Sequence, residues 1–228
     1  MALSTGAYLA LGSAIISGVF SALVFRQFVS RKKIYQLSWG VGLALFTLAS
    51  TLEFVSELGE WTIPLYKTYF ALHPTLVAVL GLGTVYLLAN KKVGHVFLAY
   101  ILIIFAILLF FTVTAEVKVD EFLPGRIVGA KAMPDAVRGL SFLFTIPGAA
   151  ALIGGAGYSW YKTRWSYNLL IAAGTILLSL GGTLTRLGRA DLLYIFLLVG
   201  IAVMFVGFLR SLEVSRVPEP EAVPSAAE

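Results

Sequence analysis

The sequence contains no cysteine at all and only two histidines. The first absence excludes disulfides, thiolate nucleophiles, iron–sulfur ligation and cysteine–zinc sites. The second leaves little for an imidazole-rich metal centre. Charge is scarce as well: 13% of the 228 residues are charged, against roughly 25% in a soluble domain. Nucleophile-elbow and phosphate-cradle motifs are also missing in any usable context.

What fills the space is hydrocarbon. Hydrophobic residues make up 59% of the chain, and the mean hydropathy is +0.90. That composition belongs to a polytopic membrane protein. The formal charge of +5 would suggest nucleic acid in a soluble protein. Here the basic residues stand in short loops between apolar runs, where they set membrane orientation. No nucleic acid is expected as a partner; the lipid bilayer is.

A hydrocarbon core about 30 Å thick needs roughly 20 helical residues. Seven runs meet that length, at about 6–29, 34–58, 62–89, 93–115, 136–161, 166–187 and 190–212. The fold expected is an all-α bundle of seven transmembrane helices in one domain, residues 1–212. Residues 213–228, rich in Pro, Glu and Ala, read as a disordered cytoplasmic tail. Residues 1–6 lack a positive n-region, so the first run is expected to be retained rather than cleaved. Pro74 and Pro147 fall inside runs, where each removes a backbone bond and favours a kink.

The basic residues orient the bundle. Ten of the 17 (Arg26, Arg31, Lys32, Lys33, Lys91, Lys92, Lys162, Arg164, Arg210, Arg216) collect on one side. Seven (Lys67, Lys118, Arg126, Lys131, Arg138, Arg186, Arg189) collect on the other, together with eight acids. The first side reads as cytoplasmic, which puts the N-terminus outside, the C-terminus inside and the protein in the cell membrane. Trp39, Trp61, Trp160 and Trp165 all fall near expected interfaces.

Two further patterns stand out. The fifth run carries Gly148, Ala151 and Gly155 on one row and Ala149, Gly154 and Gly157 on the next, as helices that pack closely in lipid do. A gapless offset of 128 residues aligns Ser38 with Ser166, Ala44 with Ala172, Thr47 with Thr175, Thr51 with Ser179 and Tyr66 with Tyr194. It would superpose runs one to three on runs five to seven, with the fourth as a linker. Such 3+1+3 plans occur in transporters.

The densest chemistry lies at residues 49–74. Glu53 and Glu57 stand one helical turn apart near the end of the second run. Tyr66, Lys67, Tyr69 and His73 begin the third, with Tyr66, Tyr69 and His73 on one stripe. Arg186 ends the sixth run, with Thr183 and Thr185 beside it. Charge inside a span is costly and faces a partner or a wet cavity. The functional expectation is an outward-facing polar pocket between the second, third and sixth runs. Glu53, Glu57, Tyr66, Lys67, Tyr69, His73 and Arg186 would bind, and in a transporter-like cycle move, a small polar or anionic molecule or a lipid. The structural alternative is a salt-bridge network, Glu53 or Glu57 with Lys67 or Arg186, that ties helix ends together.

Other classes fit less well. A non-catalytic subunit of a larger membrane complex would use the smooth fourth run and the glycine-rich fifth as partner faces. An intramembrane enzyme would use Glu53, Glu57 and His73 as acid, base or metal ligands. The balance is against an enzyme. No metal, cofactor or bis-histidine haem is expected, because His95 sits at the opposite interface from His73, about 20 Å away at 1.5 Å per residue. A retinal protein of the microbial rhodopsin type would need a lysine inside the seventh run, which has none. Membrane hydrolases of the adiponectin-receptor type would need more histidines. The sugar and vitamin carriers are similar in helix count and topology alone.

Overall fold

The computed structural model describes residues 3–122, 127–187, 189 and 192–214, with Arg186 and Val214 described by their backbone alone. Arg126, Asp191 and most of the expected tail lie outside the described residues. Those described form helices and no strand: α1 Thr5–Arg31, α2 Ile34–Leu58, α3 Ile63–Leu88, α4 Lys91–Thr114, α5 Asp135–Leu140, α6 Phe142–Thr163, α7 Tyr167–Arg186 and α8 Leu193–Val214. α5 and α6 together make one span, so seven helical segments are long and apolar enough to cross a membrane. Those seven segments mark a membrane protein.

Local signals set the helix ends. The Ser4 hydroxyl accepts from the Ala7 N–H at 2.9 Å to start α1. Thr62 caps α3, with Pro64 in its first turn, and Asn90 caps α4 by accepting from the Val93 N–H at 3.0 Å. Lys32 caps the C-terminus of α1 and Arg164 that of α6, both in the left-handed conformation. The connections that follow are two or three residues long, so α1 and α2, α3 and α4, and α6 and α7 pack antiparallel.

The fifth run differs from its expected form. It breaks at Ser141, where the Ser141 hydroxyl takes the Arg138 carbonyl at 2.7 Å and the short α5 gives way to α6. Gly139, two residues earlier, weakens the helix there. Pro74 and Pro147 both lie inside helices that continue past them.

The helices close into a ring. α1 packs on α2, α2 on α3, α3 on α6, α6 on α7, α7 on α8, and α8 returns to α1. α4 stands outside, seated mainly on α3. Exchanging the triple α1–α2–α3 with α6–α7–α8 leaves the order of neighbours around the ring unchanged, as a 3+1+3 plan would require, although α4 sits on α3 alone of the two third helices. Close backbone approach holds the α3–α6 contact: a Cβ on Gly81 would lie 2.7 Å from Gly148 Cα, and one on Gly148 would lie 2.5 Å from the Val77 carbonyl. Gly154 and Gly157, on the neighbouring row, meet nothing. The α1–α8 contact is aromatic, with Phe20 against Phe205 and Phe208 at centroid distances of 5.2 and 4.8 Å.

Candidate functional site: a buried acidic cluster beside an apolar cavity

The C-terminal turns of α2 meet the N-terminal turns of α1, α3 and α8 at one end of the ring. Glu53 points inward and is 1% exposed. Its Oε1 has no hydrogen-bond partner, and the Tyr69 hydroxyl of α3 reaches the carboxylate. Glu57, one turn on, is half-buried. The Ser4 hydroxyl donates to its Oε2 at 2.6 Å, and the Tyr194 hydroxyl of α8 lies within bonding reach of Glu57 and Ser56. Space for the Glu57 carboxylate depends on Gly6, because a Cβ there would sit 2.8 Å from Oε2.

An aromatic cluster backs the carboxylates. Tyr69 packs against Trp61 at 5.2 Å, His73 at 5.3 Å and Tyr66 at 6.4 Å between centroids. Tyr66 is fully buried under Trp61 and Phe122. Its hydroxyl faces the backbone of Ala132 and Met133 without closing a hydrogen bond. Lys67 turns away from the acids and donates to the Val113 carbonyl on α4 at 2.7 Å.

Next to this cluster lies a cavity of about 500 Å³, bounded by α2, α3, α6, α7 and α8. Phe46, Leu80, Leu152, Leu197 and Met204 form its floor and inner walls. Its polar atoms come from Tyr69, His73 and a series of hydroxyls on α6 and α7. Those hydroxyls are committed to their own helices. Thr145, Thr175, Ser179, Thr183 and Thr185 each donate to the carbonyl four residues back, at 2.9–3.1 Å. The walls therefore present methyl and methylene groups with a few spare lone pairs.

The cavity has a roof and a mouth. Gly129 and Ala130, from the segment between α4 and α5, close it at the acidic end. Gly129 has φ +54, and a Cβ there would meet Thr185 Cγ2 at 2.8 Å, so glycine is required on both counts. Among the described lining residues, the exposed ones are Phe142, Ile146, Ser179 and Thr183 on α6 and α7, and Leu187, which follows α7 at the acidic end. The exposed lining thus lies mainly between those two helices, on a surface that would face hydrocarbon, and reaches Leu187 at the acidic end.

Five of the seven residues expected from sequence meet at this end: Glu53, Glu57, Tyr66, Tyr69 and His73. Only Tyr69 and His73 line the cavity. Lys67 belongs to the α3–α4 contact. Arg186 ends α7, and its side chain lies outside the described residues. Sequence reasoning missed Tyr194 and Ser4, and of the α6–α7 hydroxyls it placed only Thr183 and Thr185 at the site, beside Arg186. The 128-residue offset did carry a signal for three of these positions, since it pairs Tyr66 with Tyr194, Thr47 with Thr175 and Thr51 with Ser179. No protein-family model, curated protein or solved structure matches this chain.

Proposed function

We propose that this protein is a multi-pass protein of the cell membrane that binds a small lipid-like molecule in the lateral cavity, with its acidic end outside and its C-terminus in the cytoplasm. One observation carries the reading: the cavity is walled by apolar side chains, and four of the five exposed residues described in its lining lie on α6 and α7. Its volume of about 500 Å³ falls in the range of small-ligand sites, roughly 300–1,000 Å³. An apolar body entering from the bilayer loses nothing by leaving lipid. It is selected instead by shape and by the few polar atoms it meets. Tyr69 and His73, at the acidic end of the cavity, are the groups that would hold a polar head. Beyond Tyr69 and His73, a fully polar solute would find only hydroxyls whose protons are already donated elsewhere. This favours the lipid member of the ligand classes expected from sequence.

Gly182 gives the test. It lines the cavity, and a Cβ there meets nothing within 4 Å. Gly182→Phe therefore fills the cavity while removing a glycine that weakens the helix. The measurement is native mass spectrometry of the protein purified in gentle detergent. The wild type is expected to retain a small lipid-like mass and Gly182→Phe to lose it, with unchanged thermal unfolding. A bare wild-type chain, or the same mass on both proteins, would count against the cavity as the binding site.

A further inference from the structure

We propose that Glu53, with Glu57, Tyr69 and Tyr194, forms a site for one small monocation, a proton or a sodium ion. Glu53 is buried, lies in a membrane-spanning helix and has an oxygen that meets no donor. An uncompensated carboxylate in that setting is strongly disfavoured, and a cation or a proton removes the penalty. The titratable groups facing it come from each neighbouring helix: Glu57 on α2, Tyr69 on α3 and Tyr194 on α8. Tyr66 and His73 stand next to Tyr69.

The donor set is oxygen alone, carboxylate and hydroxyl, which suits a hard cation. No group of three or more His, Asp or Glu that could hold a metal ion occurs among the described residues. The second carboxylate, Glu57, is half-buried and receives the Ser4 hydroxyl, whereas Glu53 is fully buried with one oxygen unpartnered, so the charge that most needs a counter-ion is that of Glu53. A proton would bind Glu53 itself. A sodium ion would bridge its free oxygen to the hydroxyl oxygens of α3 and α8. The carboxylates stand apart from the cavity's apolar walls, and Tyr69 is the one residue the site shares with the cavity lining.

Trp61 supplies a reporter. Its ring is 5.2 Å from that of Tyr69, whereas Trp39, Trp160 and Trp165 belong to the other end of the bundle. The experiment uses the full chain in detergent and follows tryptophan fluorescence and the thermal-unfolding midpoint. Sodium chloride is exchanged for choline chloride at constant ionic strength, and the series is repeated across pH. A sodium site gives a midpoint that rises with the logarithm of sodium concentration at fixed pH. A proton site gives a response to pH that is the same in sodium and in choline. Either response should vanish in Glu53→Gln and persist in Glu60→Gln, which alters an exposed acid outside the cluster. If Glu53→Gln does not fold, Tyr69→Phe keeps the carboxylate and the ring. It should weaken the apparent affinity about tenfold through loss of one hydroxyl. A wild type indifferent to both sodium and pH overturns the proposal. So does a response that survives unchanged in Glu53→Gln or, where that variant does not fold, in Tyr69→Phe.

Discussion

At the scale of single residues, Tyr69 joins the two parts of the site. Its hydroxyl reaches the Glu53 carboxylate, and the same side chain lines the cavity. Tyr194 holds the other carboxylate from α8 in a comparable way. Tyr194→Phe removes that hydroxyl and keeps the ring. It should destabilise the protein by about 0.5–1.5 kcal/mol, the net worth of one hydrogen bond, or more because a charged acceptor loses a donor. Equilibrium unfolding in a mixed detergent series, followed by tryptophan fluorescence, checks it; an unchanged midpoint would mean that the Tyr194 hydroxyl contributes nothing there. The acids and tyrosines at 53–73 were legible because ionisable groups are conspicuous in hydrocarbon and because i, i+4 spacing fixes a shared face. Tyr194 was not, since one tyrosine at a helix start is an ordinary interfacial anchor. Nor were the roles of Ser179 and Thr183, whose exposure depends on which way α7 is turned.

At the scale of elements, the glycine rows of α6 separate into two kinds that the sequence could not distinguish. Gly148 touches the backbone of α3, whereas Gly154 meets open space. Both sit in the same small-residue pattern, and the difference comes only from the rotation of α6 against its neighbour. Gly148→Val must force α3 and α6 apart, because the obstructing atoms are the Val77 carbonyl and the Ala78 Cα rather than a movable side-chain tip. Overpacking of this kind costs about 1–3 kcal/mol. Gly154→Val should change stability by less than about 0.5 kcal/mol. Parallel thermal melts of the two variants test this, and equal losses would mean that the α3–α6 crossing is not where the helices are held. The seven spans themselves were readable, because a run of about 20 apolar residues has few other uses. The break at Ser141 was not, since one glycine and one serine in an apolar run are compatible with an unbroken helix.

At the scale of the whole molecule, the ring of two triples with α4 outside explains why the fourth run is the most apolar. It has the highest mean hydropathy of the seven, 3.0, and the lowest buried share. A helix seated mainly on one neighbour exposes most of its circumference to lipid, so nearly every side chain must be apolar. The same geometry puts residues 116–121 and the roof over the cavity at the acidic end, and the basic loops 31–33, 91–92 and 162–164 at the other. Charge bias then sets which end faces the cytoplasm, because short loops rich in Lys and Arg are retained there during insertion. The bias is ten against seven, so it should be measured directly, and the missing cysteines make that simple. Asp120 and Lys92 are both exposed, at opposite ends, and each can be replaced by a single cysteine without touching the site. On intact cells a membrane-impermeant maleimide should label Asp120→Cys and leave Lys92→Cys unlabelled until the membrane is opened. The reverse pattern would place the acidic cluster in the cytoplasm. Any sodium or proton taken up at Glu53 would then come from inside the cell, where sodium is scarce, and the proton would become the only practical occupant.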